Sequence, residues 1–128
     1  DKSMTCGRGY PLLCSRNRWG GIMPTVPLNY HVQGTAMEWM MRAMLRCGAY
    51  LQELNAAAES RGYWMIMQVH DELVFDFPKG RGDKPWLTNL PKIRKIQSIM
   101  RKCGDDIDVP TPVSCKYHAL NWAEGLAV

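Results

Sequence analysis

The sequence predicts an α+β domain with helices packed on one face of an antiparallel β-sheet, which has an acidic hairpin at its centre. Two observations carry this prediction. Apolar residues recur at helical spacing over residues 32–60 and 89–103. Between these helices, two short apolar runs at residues 63–69 and 73–77 flank a tight turn. The chain has 128 residues, enough for one domain with a sizeable core, so we predict a single domain over residues 1–128.

The first half of the chain is predicted to be a connector followed by the longest helix. Residues 1–28 carry several prolines and glycines around short apolar pieces, which is the pattern of a connector that includes a strand. Residues 32–60 contain no proline, and we predict that Gly62 ends this helix. Its main apolar face comprises Ala36, Met40, Ala43, Met44, Cys47, Leu51 and Leu54. A second apolar face comprises Met37, Trp39, Met41 and Leu45, and a narrow polar stripe comprises Glu38, Arg42, Arg46 and Glu53.

The second half of the chain is predicted to contain the hairpin, another helix and a last strand. Residues 63–69 and 73–77 form the two arms, with the odd-numbered residues of the second arm on one face. Thr88 or Asn89 caps the following helix, which ends before Gly104. Its buried stripe comprises Leu90, Ile93, Ile96, Met100 and Cys103, and its basic outer face comprises Lys92, Arg94, Lys95, Arg101 and Lys102. Residues 112–120 alternate in polarity as a strand with one covered face does.

Composition and charge exclude several classes of protein. Apolar residues make up 46% and charged residues 22%, and the chain has no run of about 18 apolar residues, which argues against disorder and against a membrane span. The net charge of +4 permits a polyanionic partner without requiring one. The five cysteines are widely spaced and form no C-x-x-C pair, which disfavours disulfides and zinc and favours a reducing cytoplasm. Residues 1–8 show no secretory signal. The sequence also lacks an initiator methionine, so we expect a trimmed or partial chain.

Two adjacent acids, Asp71 and Glu72, stand at the tip of the predicted hairpin. Gly, Asn or Pro normally closes such a turn because these residues accept turn dihedrals easily, so acids at this place suggest chemistry. Mg²⁺ prefers oxygen ligands and is usually held by one or two carboxylates together with phosphates and water. Since successive strand residues point to opposite faces, we expect Asp71 to be the primary ligand and Glu72 the secondary one. The alternative is that both acids form a solvated tip and that His70 is an ordinary half-buried strand residue.

The segment N-Y-H-V-Q-G-T-A at residues 29–36 is a second candidate site. It leads into the predicted long helix, where the first backbone N–H groups have no partner within the helix, so its amides and N–H groups can contact nucleic acid. In the alternative interpretation, Asn29 and Thr35 only cap or turn the chain. Gly34 then permits close packing, and Gln33 is merely exposed.

Taken together, the two segments resemble one protein family. N-Y-H-V-Q-G-T-A, then a helical stretch of roughly thirty residues, then Q-V-H-D-E-L, resemble the C-terminal part of the palm of family A DNA polymerases in both order and spacing. The likeness extends from residue 29 to Asn-Trp at residues 121–122. It implies that Asp71 binds the catalytic Mg²⁺ ions, that Glu72 supports it, and that His70 lies near the primer terminus. It also implies that Asn29 and Gln33 contact the primer-template DNA from the minor-groove side.

The resemblance further implies template-directed nucleotidyl transfer to a primer 3′ end by two-metal catalysis, with an incoming dNTP as substrate. The family's second metal-binding aspartate and its fingers helix have no counterpart in this sequence, so we expect the chain to be inactive alone. It would then be a fragment of a longer polymerase, or a subunit of a split polymerase that docks on a partner. A non-catalytic DNA-binding or scaffolding domain is the alternative of a different class. We expect a cytoplasmic location without membrane contact, in a host cell if a phage encodes the protein, as the short connector before residue 29 suggests.

Overall fold

A computed structural model describes residues 16–21, 23–57, 62–118, 121 and 123–128. Along these residues the chain forms helix α1 (Thr25–Ala57), strands β1 (Trp64–Val69) and β2 (Glu72–Asp76), helix α2 (Trp86–Asp105), and strands β3 (Lys116–His118) and β4 (Gly125–Ala127). The predicted α+β class is confirmed. The single predicted sheet is wrong for the described residues, because β1 pairs only with β2 and β3 only with β4, each antiparallel.

The chain divides into two compact units, residues 1–41 and residues 42–128, and the division falls inside α1. The single domain over residues 1–128 therefore stays a prediction. Most of the predicted connector over residues 1–28 lies outside the described residues. In the described part of the chain, no helix is both long enough and apolar enough to cross a membrane.

Helix α1 begins seven residues earlier than the sequence pattern indicates, at Thr25 rather than at residue 32. The prolines before residue 28 suggested a connector, but Pro27 is the third helical residue, where the missing N–H would have had no partner anyway. The helix is described as far as Ala57, and residues 58–61 lie outside the described residues. Gly62 is not a helix cap, since its backbone does not adopt a positive φ. A Cβ atom at Gly62 would lie only 2.9 Å from Pro78 Cγ, so a close approach of the chain explains this glycine.

The buried face of α1 follows the predicted spacing, with Met40, Ala43, Cys47 and Leu51 all buried. Ala36 is exposed and does not belong to this face. Apolar side chains of the second predicted face are exposed: Met37 by 54%, Met41 by 46% and Leu45 by 73%. Trp39, the other residue of this face, is half-buried. The second face is therefore only partly covered within the described residues.

The predicted polar stripe of α1 is wrong for Glu38. It is buried, at 8% exposure, and its Oε2 atom has no hydrogen-bond partner among the described residues. Arg42 and Arg46, the arginines of this stripe, form ion pairs with Asp106 Oδ2, at 3.4 and 2.6 Å. The helical pattern indicated the polar face correctly for the two arginines, but it could not identify an acidic partner sixty residues away in sequence.

The core of residues 42–128 lies where α1 meets α2. Cys47 and Cys103 are both fully buried, and Arg46 Nη1 lies 3.6 Å from Cys103 Sγ. Burial, together with the neighbouring Cys103 thiol, raises the pKa of Cys47 to about 12. Burial also raises the pKa of Cys103, against the opposing effect of Arg46. Both thiols are therefore protonated at neutral pH and serve as small apolar packing groups.

Helix α2 begins at Trp86 after Pro85, so the predicted caps at Thr88 and Asn89 are wrong. Asn89 lies inside the helix, is 6% exposed, and donates a hydrogen bond from Nδ2 to the Pro78 carbonyl at 2.9 Å. A polar side chain that looks like a cap in the sequence thus connects the helix to the chain that leaves the hairpin. Gly104 is the penultimate residue of α2 rather than a residue beyond it, and it is buried.

The last predicted strand is shorter than residues 112–120, since β3 covers only Lys116–His118. The alternation of burial is as predicted: Val113, Cys115 and Tyr117 are half-buried and their neighbours are exposed. Residues 119 and 120 lie outside the described residues. Strand β4 was not predicted, because its residues are too few to show a pattern.

Candidate functional site

The acidic hairpin forms as the sequence predicts. Strands β1 and β2 pair antiparallel up to Val69 opposite Glu72, which leaves His70 and Asp71 as a two-residue loop. The side chains of His70, Asp71 and Glu72 are all exposed. The alternative interpretation of His70 as a half-buried strand residue is therefore wrong. The fold therefore places these three exposed side chains at one end of the hairpin.

The loop itself holds a strained backbone. His70 has φ +52°, a left-handed conformation that glycine adopts easily and that costs other residues about 1–2 kcal/mol. Gln68 Nε2 donates a hydrogen bond to the His70 carbonyl at 2.5 Å and so fixes the peptide that precedes Asp71. Strain of this kind persists only where surrounding structure holds it, and it is concentrated at functional sites.

A β-bulge interrupts the pairing of β1 with β2 and changes which side chains share a face. Met65 lies opposite Phe75, but Met67 lies opposite Val74, so Ile66 is the extra residue on β1. The bulge places Met65 and Phe75 on one face, where both are half-buried. Bulges increase local twist and redirect side chains, and they occur often beside active sites.

The face opposite to Phe75 carries both acids of β2, Glu72 and Asp76. Cross-strand pairing places Glu72 beside Val69, and Asp76 beside Trp64 at the far end of the hairpin. Trp64 is 54% exposed and Met67 is 41% exposed. An apolar but open surface therefore leads towards the carboxylates at the tip.

The metal-binding capacity of the hairpin is partial. Asp71 and Glu72 supply carboxylate oxygens, the ligand type that Mg²⁺ prefers. Among the described residues, no group of three or more His, Cys, Asp or Glu side chains could hold a metal ion. Two carboxylates are therefore compatible with part of a Mg²⁺ coordination shell but do not make a complete one.

The two amides of the second candidate segment share one face of α1. Asn29 and Gln33 are one helical turn apart, and both side chains are exposed. Leu28 and Val32, their neighbours on this surface, are 65% and 60% exposed. Because α1 already begins at Thr25, the backbone N–H groups of residues 29–36 lie inside the helix. The predicted use of free N–H groups at this place is wrong, and only the side chains are available.

Comparison with known proteins assigns the family. The model for DNA polymerase family A matches residues 14–124, which include both the α1 amides and the acidic hairpin. The chain belongs to DNA polymerase family A. The thermostable DNA polymerase I of Thermus thermophilus is 46% identical over 56 residues, or 44% of this chain and 6% of that protein. The thermostable DNA polymerase I of Thermus aquaticus is 42% identical over 55 residues, or 43% of this chain and 6% of that protein.

The matched segments cover only a small part of these family A relatives, about 6% of the length of each. No solved structure gives a significant match to the chain. The predicted resemblance to family A is confirmed, whereas the more specific phage type stays a prediction.

One residue that positions the hairpin of this family A chain was not singled out in the sequence. Gln68 is the polar residue in the otherwise apolar run W-M-I-M-Q-V of β1, and its side chain holds the loop. That break in the apolar pattern was the available signal. The bulge at Ile66 could not be predicted from the sequence, because every residue from 64 to 67 is apolar and fits either register.

The strain at His70 predicts a gain in stability on substitution. His70→Gly should raise the free energy of unfolding by up to about 1 kcal/mol, because glycine adopts a positive φ without a clash. Urea unfolding of the 128-residue chain measures this change. His70→Ala is the matched control, since it removes the imidazole and keeps the strain. If the Gly variant is no more stable than the Ala variant, the loop is not strained.

Proposed function

We propose that this chain is part of a longer family A DNA polymerase that adds nucleotides to a primer 3′ end. The observation that carries the proposal is the two-residue loop that presents Asp71, with Glu72 beside it, at the exposed tip of the β1–β2 hairpin. The family match over residues 14–124 supports it. The catalytic role of the hairpin and the contacts of α1 with DNA are the proposed parts.

Asp71 is the proposed primary metal ligand. It lies in the loop, beyond the last strand pair, and its carboxylate is exposed. Glu72 belongs to β2 and lies beside Val69 on one face of the ribbon, so it supports the site from the side. When bound, paired Mg²⁺ ions lower the pKa of the primer 3′-hydroxyl and stabilise the pyrophosphate that leaves. His70 projects from the same loop and lies near the primer terminus in this proposal.

Asn29 and Gln33 are the proposed contacts with the minor groove of the primer-template. Minor-groove acceptors are nearly the same for all base pairs, so an amide N–H donor can test pair shape without selecting a sequence. A copying enzyme needs this property. The exposed side chains of Leu28 and Val32 beside the amides provide apolar contact area for sugar rings.

The rest of the catalytic machinery comes from other parts of the polymerase. A second metal-binding carboxylate from another strand and a site for the incoming dNTP are required, and among the described residues no further ligand completes a group of three with Asp71 and Glu72. The chain alone is therefore expected to be inactive. The exposed Met37, Met41 and Leu45 of α1 are consistent with cover by further protein. A cytoplasmic location, in a host cell if a phage encodes the polymerase, belongs to this proposal.

Primer extension tests the proposal directly. The complete polymerase should extend a labelled primer in the presence of Mg²⁺ and dNTPs, and the 128-residue chain alone should not. Addition of the separately produced remainder of the enzyme to the chain should restore extension. If the chain binds duplex DNA but no complement restores extension, it acts instead as a non-catalytic DNA-binding domain.

Gln33→Ala should weaken primer-template binding or raise misincorporation by about tenfold, which corresponds to the loss of one hydrogen bond to the minor groove. Fluorescence anisotropy with labelled primer-template measures binding, and single-nucleotide incorporation measures fidelity. Gln52→Ala is the matched control, because Gln52 is an exposed glutamine on the same helix. Wild-type binding and fidelity in Gln33→Ala would refute the role of this residue alone.

A further inference from the structure

Helix α2 carries a charge surplus that accounts for the charge of the whole chain. The helix contains five basic residues, Lys92, Arg94, Lys95, Arg101 and Lys102, and one acid, Asp105. Its surplus is therefore four positive charges, and the net charge of the 128-residue chain is also +4. The remaining residues are balanced between acids and bases. The positive charge is concentrated on one element, which is the usual electrostatic footprint of a surface that binds a polyanion.

Four of these basic side chains form one exposed surface. Arg94, Lys95, Arg101 and Lys102 are all exposed, and the buried residues Ile96, Met100 and Cys103 mark the opposite side of the helix. Arg94 and Arg101 are seven residues apart, as are Lys95 and Lys102. Seven residues make about two helical turns, so each pair lies on the same side, about 10 Å apart along the axis.

Among the described residues, no acid forms an ion pair with the basic surface of α2. The ion pairs found among the described residues join Asp106 to Arg42 and Arg46 of α1, and neither involves α2. Arg101 Nη2 donates a hydrogen bond to the Val113 carbonyl at 3.0 Å, which fixes the arginine without removing its charge. Asp105, four residues after Arg101, is the acid on the same side of α2, so the four exposed basic side chains leave a net charge of about +3 on this surface.

We infer that this basic surface of α2 is a second, sequence-independent contact with the phosphate backbone of duplex DNA, separate from the amides of α1. The inference rests on the proposed function. One strand of a duplex carries a phosphate about every 3.4 Å of axis, so the two pairs of charges span about three phosphates. A lipid surface fits less well, because a membrane-bound amphipathic helix inserts its apolar face, and the apolar face of α2 is buried in the core.

The test is the salt dependence of DNA binding by the complete polymerase. Lys95→Gln with Lys102→Gln removes two charges from the surface and keeps good helix formers. With a labelled 25-base-pair duplex of random sequence as probe, the slope of log K against log salt should become shallower by about 1.8, or about 0.9 for each lost phosphate contact. The matched control is Lys79→Gln with Lys84→Gln, which removes two charges from exposed lysines of the loop before α2. The control should keep the wild-type slope.

Several outcomes would overturn the inference. A wild-type slope in the α2 variant, or an equal decrease in both variants, would show that α2 makes no particular contact with phosphate. Lys95→Arg with Lys102→Arg keeps both charges and should restore the slope, and failure to do so would point to a structural effect. Loss of binding to phosphatidylglycerol vesicles with unchanged DNA binding would assign the surface to lipid. These results leave the catalytic proposal standing, which fails separately if the polymerase remains active without the Asp71 carboxylate.

Discussion

Asp71→Ala in the complete polymerase should reduce primer extension by about a thousandfold or more while leaving DNA binding largely intact. The carboxylate stands in the exposed loop of the hairpin, where it can ligate an ion. It is not among the residues that build the core, so its removal should not unfold the chain. A metal ligand contributes several kcal/mol of transition-state stabilisation, and each 1.4 kcal/mol is a factor of about ten in rate. Single-turnover extension at saturating DNA and dNTP measures the effect.

Asp76→Ala is the matched control for this variant. Asp76 is an exposed aspartate of the same hairpin, and it lies at the opposite end of β2, beside Trp64. Its loss removes the same charge but should leave extension within about twofold of the wild type, because a surface charge away from the reacting atoms has little effect on the barrier. Retained extension in Asp71→Ala, or equal losses in both variants, would refute the role of the loop carboxylate.

Gly104→Ala should lower the free energy of unfolding by about 1–3 kcal/mol, the usual range for overpacking of a filled site. A Cβ atom at Gly104 would lie 2.5 Å from the Val109 carbonyl oxygen and 2.2 Å from Thr111 Oγ1. Thr111 Oγ1 is held by a hydrogen bond to the Arg101 carbonyl at 3.2 Å, and the Val109 oxygen belongs to the backbone. Neither atom can move away without loss of structure at the end of α2. Urea unfolding of the 128-residue chain, followed by tryptophan fluorescence, measures the change.

Gly48→Ala is the control with the opposite expected sign. Gly48 lies in the middle of α1, and a Cβ atom there would meet nothing within 4 Å. Alanine at such a position should stabilise the chain by about 1 kcal/mol through helix propensity. If Gly104→Ala is as stable as the wild type, or gains stability as Gly48→Ala does, the close approach of residues 109–111 to α2 is not as the structure describes.

The hairpin and its acids could be predicted from sequence because the lengths of the apolar runs and the polar segment between them all indicate a tight hairpin. Two apolar runs of strand length flank a short polar segment, and their pairing closes with a tight loop at His70 and Asp71. The buried spacing of Met40, Cys47 and Leu51 in α1 was equally readable, since helical periodicity over many residues is the strongest local signal.

The remaining features depend on contacts between residues that are far apart in sequence. Asparagine is a common helix-capping residue, but the side chain of Asn89 instead donates a hydrogen bond to the Pro78 carbonyl, a partner that no local pattern identifies. The helical pattern predicts an exposed Glu38 because charged residues are usually exposed, but its burial depends on tertiary packing. The positive φ of His70 was hidden as well, since the usual marker of such a turn is glycine.

The roles proposed for the site residues go beyond what periodicity can provide. Asn29 and Gln33 share an exposed face of α1, which the helix geometry establishes, but their contact with DNA depends on a molecule outside the chain. Family membership supports the assignment, and the matched part covers about 6% of the length of the Thermus enzymes. Experiments on the complete polymerase therefore decide the function.

The most direct measurement is to map where a catalytic metal ion binds. Fe²⁺ in place of Mg²⁺, with ascorbate and peroxide, produces hydroxyl radicals that cleave the polypeptide near the bound ion. In the complete polymerase bound to primer-template DNA, we predict cleavage at residues 70–72 that excess Mg²⁺ suppresses and that Asp71→Ala abolishes. Cleavage confined to other segments, with the hairpin left intact, would contradict the account.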